Sequence, residues 1–108
     1  MKVLKQVLGI DVAQKELVVT LGKMYDDFKI ELCSYAVFKN TKKGFLELSQ
    51  WVEKLTDSEI KVRYVMEATG VYHESFAYFL ADRGAEISIV LPNKISNYAR
   101  SLTTKTVT

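Results

Sequence analysis

The sequence predicts an α/β domain in which helices flank a five-stranded mixed sheet, in the order βββαβαβα. Three features support this order. Short β-rich apolar runs separated by polar turns fill the first part of the chain, helical apolar spacing begins after them, and the later apolar runs alternate with helical segments. A chain of 108 residues that is 48% hydrophobic has the size and composition of one domain. We therefore expect a single domain over residues 1–108.

The first three strands are expected to form an antiparallel meander. Val3–Val12 is β-rich, and its residues 7–10 carry no polar side chain, which is typical of a strand buried on both faces. A polar turn leads to a second strand over residues 17–21, and residues 22–27 turn the chain again. Apolar and polar side chains alternate over residues 28–38, which predicts a third, half-exposed strand.

The first helix is predicted after Asn40 and Thr41, which both offer N-caps. Apolar side chains then recur at helical spacing and form one stripe: Phe45, Leu48, Trp51, Val52 and Leu55. A fourth strand over residues 60–66 is followed by a helix over residues 72–83, which Gly84 ends. The side chains expected to face inward from this helix are Tyr72, Phe76, Phe79 and Leu80.

A fifth strand is predicted over residues 86–91, and Pro92 suits the first turn of a last helix. The inward side chains of that helix are expected to be Ile95, Tyr98, Ala99 and Leu102. A hairpin-rich antiparallel start followed by βαβα is the pattern of the ribonuclease-H-like fold, with strands one, four and five parallel. Because the chain stops without a compositional ending, we expect it to be truncated at its C-terminal end.

Composition excludes several classes of protein. Cys33 is the only cysteine, so an internal disulfide and multi-cysteine zinc patterns are excluded, and the reducing cytoplasm is the expected compartment. No apolar run reaches the length of a signal peptide or membrane span. The net charge of +2 does not mark a nucleic-acid-binding domain by itself. Residues 92–108 are locally basic, which fits either a solvated tail or phosphate contacts.

Two carboxylates end apolar strands, where an unpaired charge is costly. Asp11 follows Gly9 and Ile10, and Glu67 follows Val65 and Met66. If strands one and four are parallel neighbours, both carboxylates emerge at one sheet edge, where open α/β sheets place their ligands. Two such groups repel each other unless a cation lies between them, and carboxylate-only ligation suits Mg²⁺ or Mn²⁺.

Simpler interpretations of these residues stay open. Asp11 could cap a turn at the end of its strand, although Glu67 does not fit simple turn chemistry. Gly70 could be only a flexible residue before the helix, and His73 could be merely exposed near the same edge. Cys33 lies within a strand far from any histidine, which favours a buried thiol over a catalytic one.

Four segments together resemble the N-terminal domain of the DEDD insertion-sequence transposases, the one-hundred-and-ten family, which includes the Piv invertases: residues 9–15 (GIDVAQK), 67–72 (EATGVY), 90–94 (VLPNK) and 105–106 (KT). The resemblance covers essentially the whole chain and implies a RuvC-like domain that acts on insertion-sequence DNA. It matches Asp11 and Glu67 to the first Asp and the Glu of the metal-binding set. The two remaining Asp residues should follow the Lys-Thr segment, where this sequence has none.

The resemblance also implies partners for the full-length protein. Family members act on DNA ends as oligomers, some are directed by a structured RNA, and a C-terminal domain supplies a serine proposed as the nucleophile. Ser96 and Ser101 do not match that serine. By position and charge, the candidate phosphate contacts are Lys94, Arg100 and Lys105. The 108-residue chain alone is expected to be inactive.

Two other classes of protein share the expected fold. An actin-like or sugar-kinase-type ATPase half-domain also opens with a strand that ends in Gly-Ile-Asp. A phosphate-cradling hairpin needs Gly and Thr or Ser after the Asp, whereas residues 12–15 are bulky. A non-catalytic ribonuclease-H-like binding or assembly module would keep the fold without using the carboxylates.

Overall fold

The computed structural model describes residues 2–68 and 70–90. Its elements are β1 (Val3–Val12), β2 (Glu16–Tyr25), β3 (Ile30–Lys39), α1 (Lys42–Leu55), β4 (Val62–Glu67), α2 (Glu74–Asp82) and β5 (Glu86–Val90). The predicted order is confirmed as far as β5. The helix predicted from Pro92 lies outside the described residues. Neither described helix has both the length and the apolar character needed to cross a bilayer.

All five strands belong to one mixed sheet with the order β3-β2-β1-β4-β5. β2 pairs antiparallel with β1 and β3, which confirms the meander, whereas β4 is parallel to both β1 and β5. The predicted parallel centre is therefore present. β1 is paired along both of its edges, but it is buried on one face only in the described part of the chain: Leu8 is fully buried, whereas Val7 is 37% exposed. The predicted burial of β1 on both faces is therefore wrong.

The helices α1 and α2 cover one face of this sheet. α1 contacts β3, α2 contacts β5, and the two helices contact each other. Alternate side chains of the strands point toward them, so that Leu8 and Ile10 are buried while Val7 is partly exposed. The ring centroids of Phe45 and Phe76 lie 5.1 Å apart between the helices. The predicted apolar stripes of both helices thus form the core.

The opposite face of the sheet is open within the described part of the chain. Its β3 side chains Ile30, Leu32 and Tyr35 are each about 70% exposed or more. β3 is an edge strand, so this face confirms the predicted half-exposed character of the strand. Cys33 is half-buried on the covered side, where its thiol donates a hydrogen bond to the Glu31 carbonyl oxygen at 3.5 Å.

Two further predictions were wrong. The chain does not turn at Gly22. At this residue β2 stays paired with both β1 and β3, and only its register with β3 is irregular. The turn comes later, where Phe28 has a φ of 65°. Tyr72 does not face inward: α2 begins only at Glu74, so Tyr72 precedes the helix and its side chain is 44% exposed.

One end of β1 is tied to the loop between α1 and β4 by a buried side chain. Gln6 is only 1% exposed, and its Nε2 donates hydrogen bonds to the carbonyl oxygens of Asp57 and Ile60, at 3.1 and 2.8 Å. Its Oε1 accepts a hydrogen bond from the Asp57 N–H at 2.6 Å. Each polar atom of the buried amide therefore has a partner, as burial requires.

The first turn of α1 packs against the end of β3 at a glycine. Thr41 is the N-cap, and its hydroxyl accepts a hydrogen bond from the Gly44 N–H at 3.1 Å. A Cβ added at Gly44 would collide with the carbonyl group of Lys39, whose carbon would lie 2.8 Å away. Only glycine allows the helix to approach the strand this closely.

We predict that Gly44→Ala lowers the free energy of unfolding by about 2 kcal/mol, because overpacking against backbone outweighs the higher helix propensity of alanine. Urea denaturation followed by circular dichroism measures this change. Gln50→Ala, at an exposed position of the same helix, is the control and should stay within about 0.5 kcal/mol of the parent. A Gly44→Ala protein as stable as the parent would contradict the close approach.

Candidate metal centre

Asp11 and Glu67 lie side by side at one edge of the sheet. The parallel register of β1 and β4 ends at the pair Ile10 and Met66, and each carboxylate follows its member of that pair by one residue. On their outer sides, Asp11 pairs with Val18 of β2 and Glu67 with Val90 of β5. The two carboxylates therefore end adjacent strands that run in the same direction.

Both carboxylates are on the open face of the sheet. Ile10 and Met66 are buried against the helices, at 5% and 1% exposure. Because side chains alternate along a strand, the next residue of each strand is on the opposite face. Asp11 is exposed and Glu67 is half-buried. A ligand could thus approach both carboxylates from solvent without disturbing the core.

The two side chains line one open groove of about 510 Å³ between β1, β2 and β4. Gly9 lies in this groove and adds no side chain, while Val18 and Val65 add apolar walls. The hydroxyl-bearing side chain of Thr20 also lines it. The polar groups offered are hard oxygen donors, which fit Mg²⁺ or Mn²⁺ and not a soft, thiolate-preferring metal.

Two carboxylates do not complete a two-metal site. In residues 2–68 and 70–90, no group of three or more His, Cys, Asp and Glu side chains is placed to hold an ion. The family resemblance implies that further acidic ligands come from elsewhere in the full-length protein. Such ligands would have to reach the open face of the sheet, since the helices fill the other face.

Of the remaining candidates in the described part of the chain, neither His73 nor Gly70 lines the groove. Lys94, Arg100 and Lys105 lie outside the described residues. His73 occupies the N-cap position of α2 without capping it, and its Nδ1 is buried with no hydrogen-bond partner among the described residues. Gly70 has a φ of 62°, so it turns the loop before α2, as the simpler interpretation of this residue predicted.

The sequence predicts Asn40 only as a possible N-cap, and it does not indicate the main contacts of this residue. Thr41 caps α1, while the side-chain amide of Asn40 donates hydrogen bonds to the carbonyl oxygens of Ala13 and Tyr72. Ala13 follows the strand that carries Asp11, and Tyr72 lies in the loop after Glu67. No local pattern indicates these contacts, because the partners are 27 and 32 residues away.

The chain resembles curated pilin gene-inverting proteins in sequence. It is 35% identical over 71 residues to the pilin gene-inverting protein of Moraxella lacunata. The matched segment makes up 66% of this chain, and the match spans 22% of the length of that relative.

Solved structures share the fold at low sequence identity. The yeast mitochondrial Holliday junction resolvase Ydc2 aligns with 93% of this chain and 58% of its own, with a TM-score of 0.63 and 17% identity. RuvC of Thermus thermophilus, solved in complex with a Holliday junction substrate, aligns with 85% of this chain and 69% of its own, with a TM-score of 0.56 and 12% identity. These likenesses confirm the predicted RuvC-like, ribonuclease-H-like fold.

The family comparison covers nearly the whole sequence. A family model described as a transposase, that of the DEDD transposases of IS110, matches residues 8–106. The match includes both strand-end carboxylates and the segments from which the family resemblance was inferred. The chain therefore belongs to the DEDD transposases of the IS110 family.

Proposed function

We propose that the full-length protein is a DNA transposase or recombinase, and that Asp11 and Glu67 are two ligands of its divalent-metal centre. The observation that supports this most is their shared groove on the open face, just past the last pair of two parallel central strands. The paired carboxylates provide the ligand chemistry that metal-dependent phosphodiester cleavage requires.

The comparisons support the choice of reaction class. The Moraxella relative is named for inverting a pilin gene, Ydc2 is named as a Holliday junction resolvase, and RuvC was solved with a Holliday junction substrate. The membership of the chain in a transposase family favours the same chemistry over the ATPase half-domain and the non-catalytic module. The bulky residues 12–15 give a further argument against phosphate binding at the first turn.

The roles of the two residues follow from their positions. Asp11 and Glu67 would hold one side of a Mg²⁺ or Mn²⁺ centre, and acidic residues from other parts of the protein would complete it. When bound, a pair of such ions can activate the attacking oxygen and stabilise the leaving one. The two strands would hold both carboxylates close together before the substrate arrives. This lowers the free-energy cost of organising the site.

The proposed substrates are insertion-sequence ends and target DNA, with the protein acting in the cytoplasm. Lys94, Arg100 and Lys105 are proposed phosphate contacts, since they are the cations of a segment without acidic residues. Self-association and a structured guide RNA are proposed on family resemblance.

We predict that Asp11→Asn or Glu67→Gln lowers the recombination frequency of the full-length protein by at least about a hundred-fold, since even changes next to a metal ligand cost 10-fold to 100-fold. The thermal unfolding midpoint should not fall, because both side chains are outside the core.

The matched controls are Asp82→Asn and Glu47→Gln, two exposed carboxylates on the helices. An excision assay in cells and a thermal melt of each purified variant measure both properties. Parental excision frequency in either strand-end variant would exclude the proposed ligand role.

We also predict that the 108-residue chain alone neither cleaves nor joins DNA, because two carboxylates do not organise a two-ion centre. Its affinity for duplex DNA should be weak, with a log–log salt slope no steeper than about −3 from three phosphate contacts. Incubation with Mg²⁺ or Mn²⁺ and titration of a labelled duplex at several salt concentrations measure these properties. Metal-dependent cleavage would contradict the incomplete centre, and a much steeper slope would reveal a further basic surface.

A further inference from the structure

Asn40 joins three segments that are distant in sequence. It follows β3 directly, and its backbone N–H donates a hydrogen bond to the Lys15 carbonyl oxygen at 3.0 Å. Its side-chain Nδ2 donates to the carbonyl oxygens of Ala13 at 2.9 Å and Tyr72 at 3.0 Å. One residue thus binds both the β1–β2 turn and the loop between β4 and α2.

The chemistry of these contacts needs a primary amide at this position. Both partners of Nδ2 are carbonyl oxygens, so the side chain must supply two N–H donors. A carboxylate of the same shape has none and would place its charge against two carbonyl dipoles. Serine and threonine have a single donor each.

The two bridged segments continue from the strands that carry the carboxylates. Paired residues of β1 and β4 run as far as Ile10 and Met66. One residue further, Asp11 pairs with Val18 of β2, and Glu67 pairs with Val90 of β5. Asn40 links the two segments that follow the carboxylates, through Ala13 and Tyr72.

We propose that Asn40 is a positioning residue that sets the separation of Asp11 and Glu67 by clamping the segments that follow them. This inference rests on the proposed metal centre. With the clamp intact, the two carboxylates are held in one geometry before an ion binds. Without it, the β1–β2 turn and the loop between β4 and α2 lose this side-chain link, and the separation of the two carboxylates is less restricted before an ion binds. Groups that orient metal ligands in this way are worth 10-fold to 100-fold in metal affinity.

The test compares Asn40→Asp with Thr41→Ala in the full-length protein. Asn40→Asp keeps the shape of the side chain and removes both donors, whereas Thr41→Ala removes the neighbouring helix cap and leaves the clamp in place. Asn40→Ala is the second variant, because it loses the donors without adding a charge. All measurements are made well below the unfolding temperature of each variant.

Two readouts are expected to change together. In metal-free protein, hydrogen exchange should become faster in residues 13–16 and in residues 70–74 of both Asn40 variants, and stay as in the parent in Thr41→Ala. Titration with Mn²⁺ followed by electron paramagnetic resonance should give an affinity about ten-fold lower in the Asn40 variants. Thr41→Ala should bind Mn²⁺ as the parent does.

Each contrary result identifies what has failed. Parental exchange in both segments of the Asn40 variants would overturn the clamp. Unchanged Mn²⁺ affinity in those variants, or an equal loss in Thr41→Ala, would overturn the positioning role and leave the metal centre in place. Asp11→Asn is measured alongside them. If this variant binds Mn²⁺ as the parent does, the result overturns both the proposed metal centre and the positioning role of Asn40.

Discussion

The parallel pairing of β1 with β4 is the constraint on which the rest of the structure depends. Because the two strands run in the same direction as neighbours, their carboxyl ends meet at one edge of the sheet. Asp11 and Glu67 then need only follow the last paired residues to become adjacent. The same pairing gives β1 neighbours on both sides and makes it the strand around which the sheet is built.

The sheet separates stability from chemistry by its two faces. The helices bury one face in a continuous apolar core, so substitutions there change the free energy of unfolding. The other face carries the open groove that Asp11 and Glu67 line. Alternation along each strand is enough to keep the two functions apart, since neighbouring residues face opposite ways.

Side-chain hydrogen bonds near the two ends of β1 have different consequences. At its start, Gln6 holds the α1–β4 loop, and Lys23 of β2 donates a hydrogen bond to the last carbonyl oxygen of α1, at Leu55. These contacts satisfy buried or helix-terminal groups and fix the helix layer. At the end of β1, Asn40 joins the segments that follow the two carboxylates. Changes at the first end should act on folding, and changes at the second on the geometry of the site.

The sequence by itself determined the order of the elements as far as β5 and the position of Asp11 and Glu67 at strand ends, because apolar periodicity and charges at strand ends are local signals. It could not determine that β2 continues through Gly22, since pairing on both sides overrides the local preference of glycine for a turn. Nor could it show that Tyr72 is exposed, or that the side chains of Gln6 and Asn40 bind backbone groups of distant segments. Those outcomes depend on partners up to 54 residues away, and only the tertiary structure decided which of them meet.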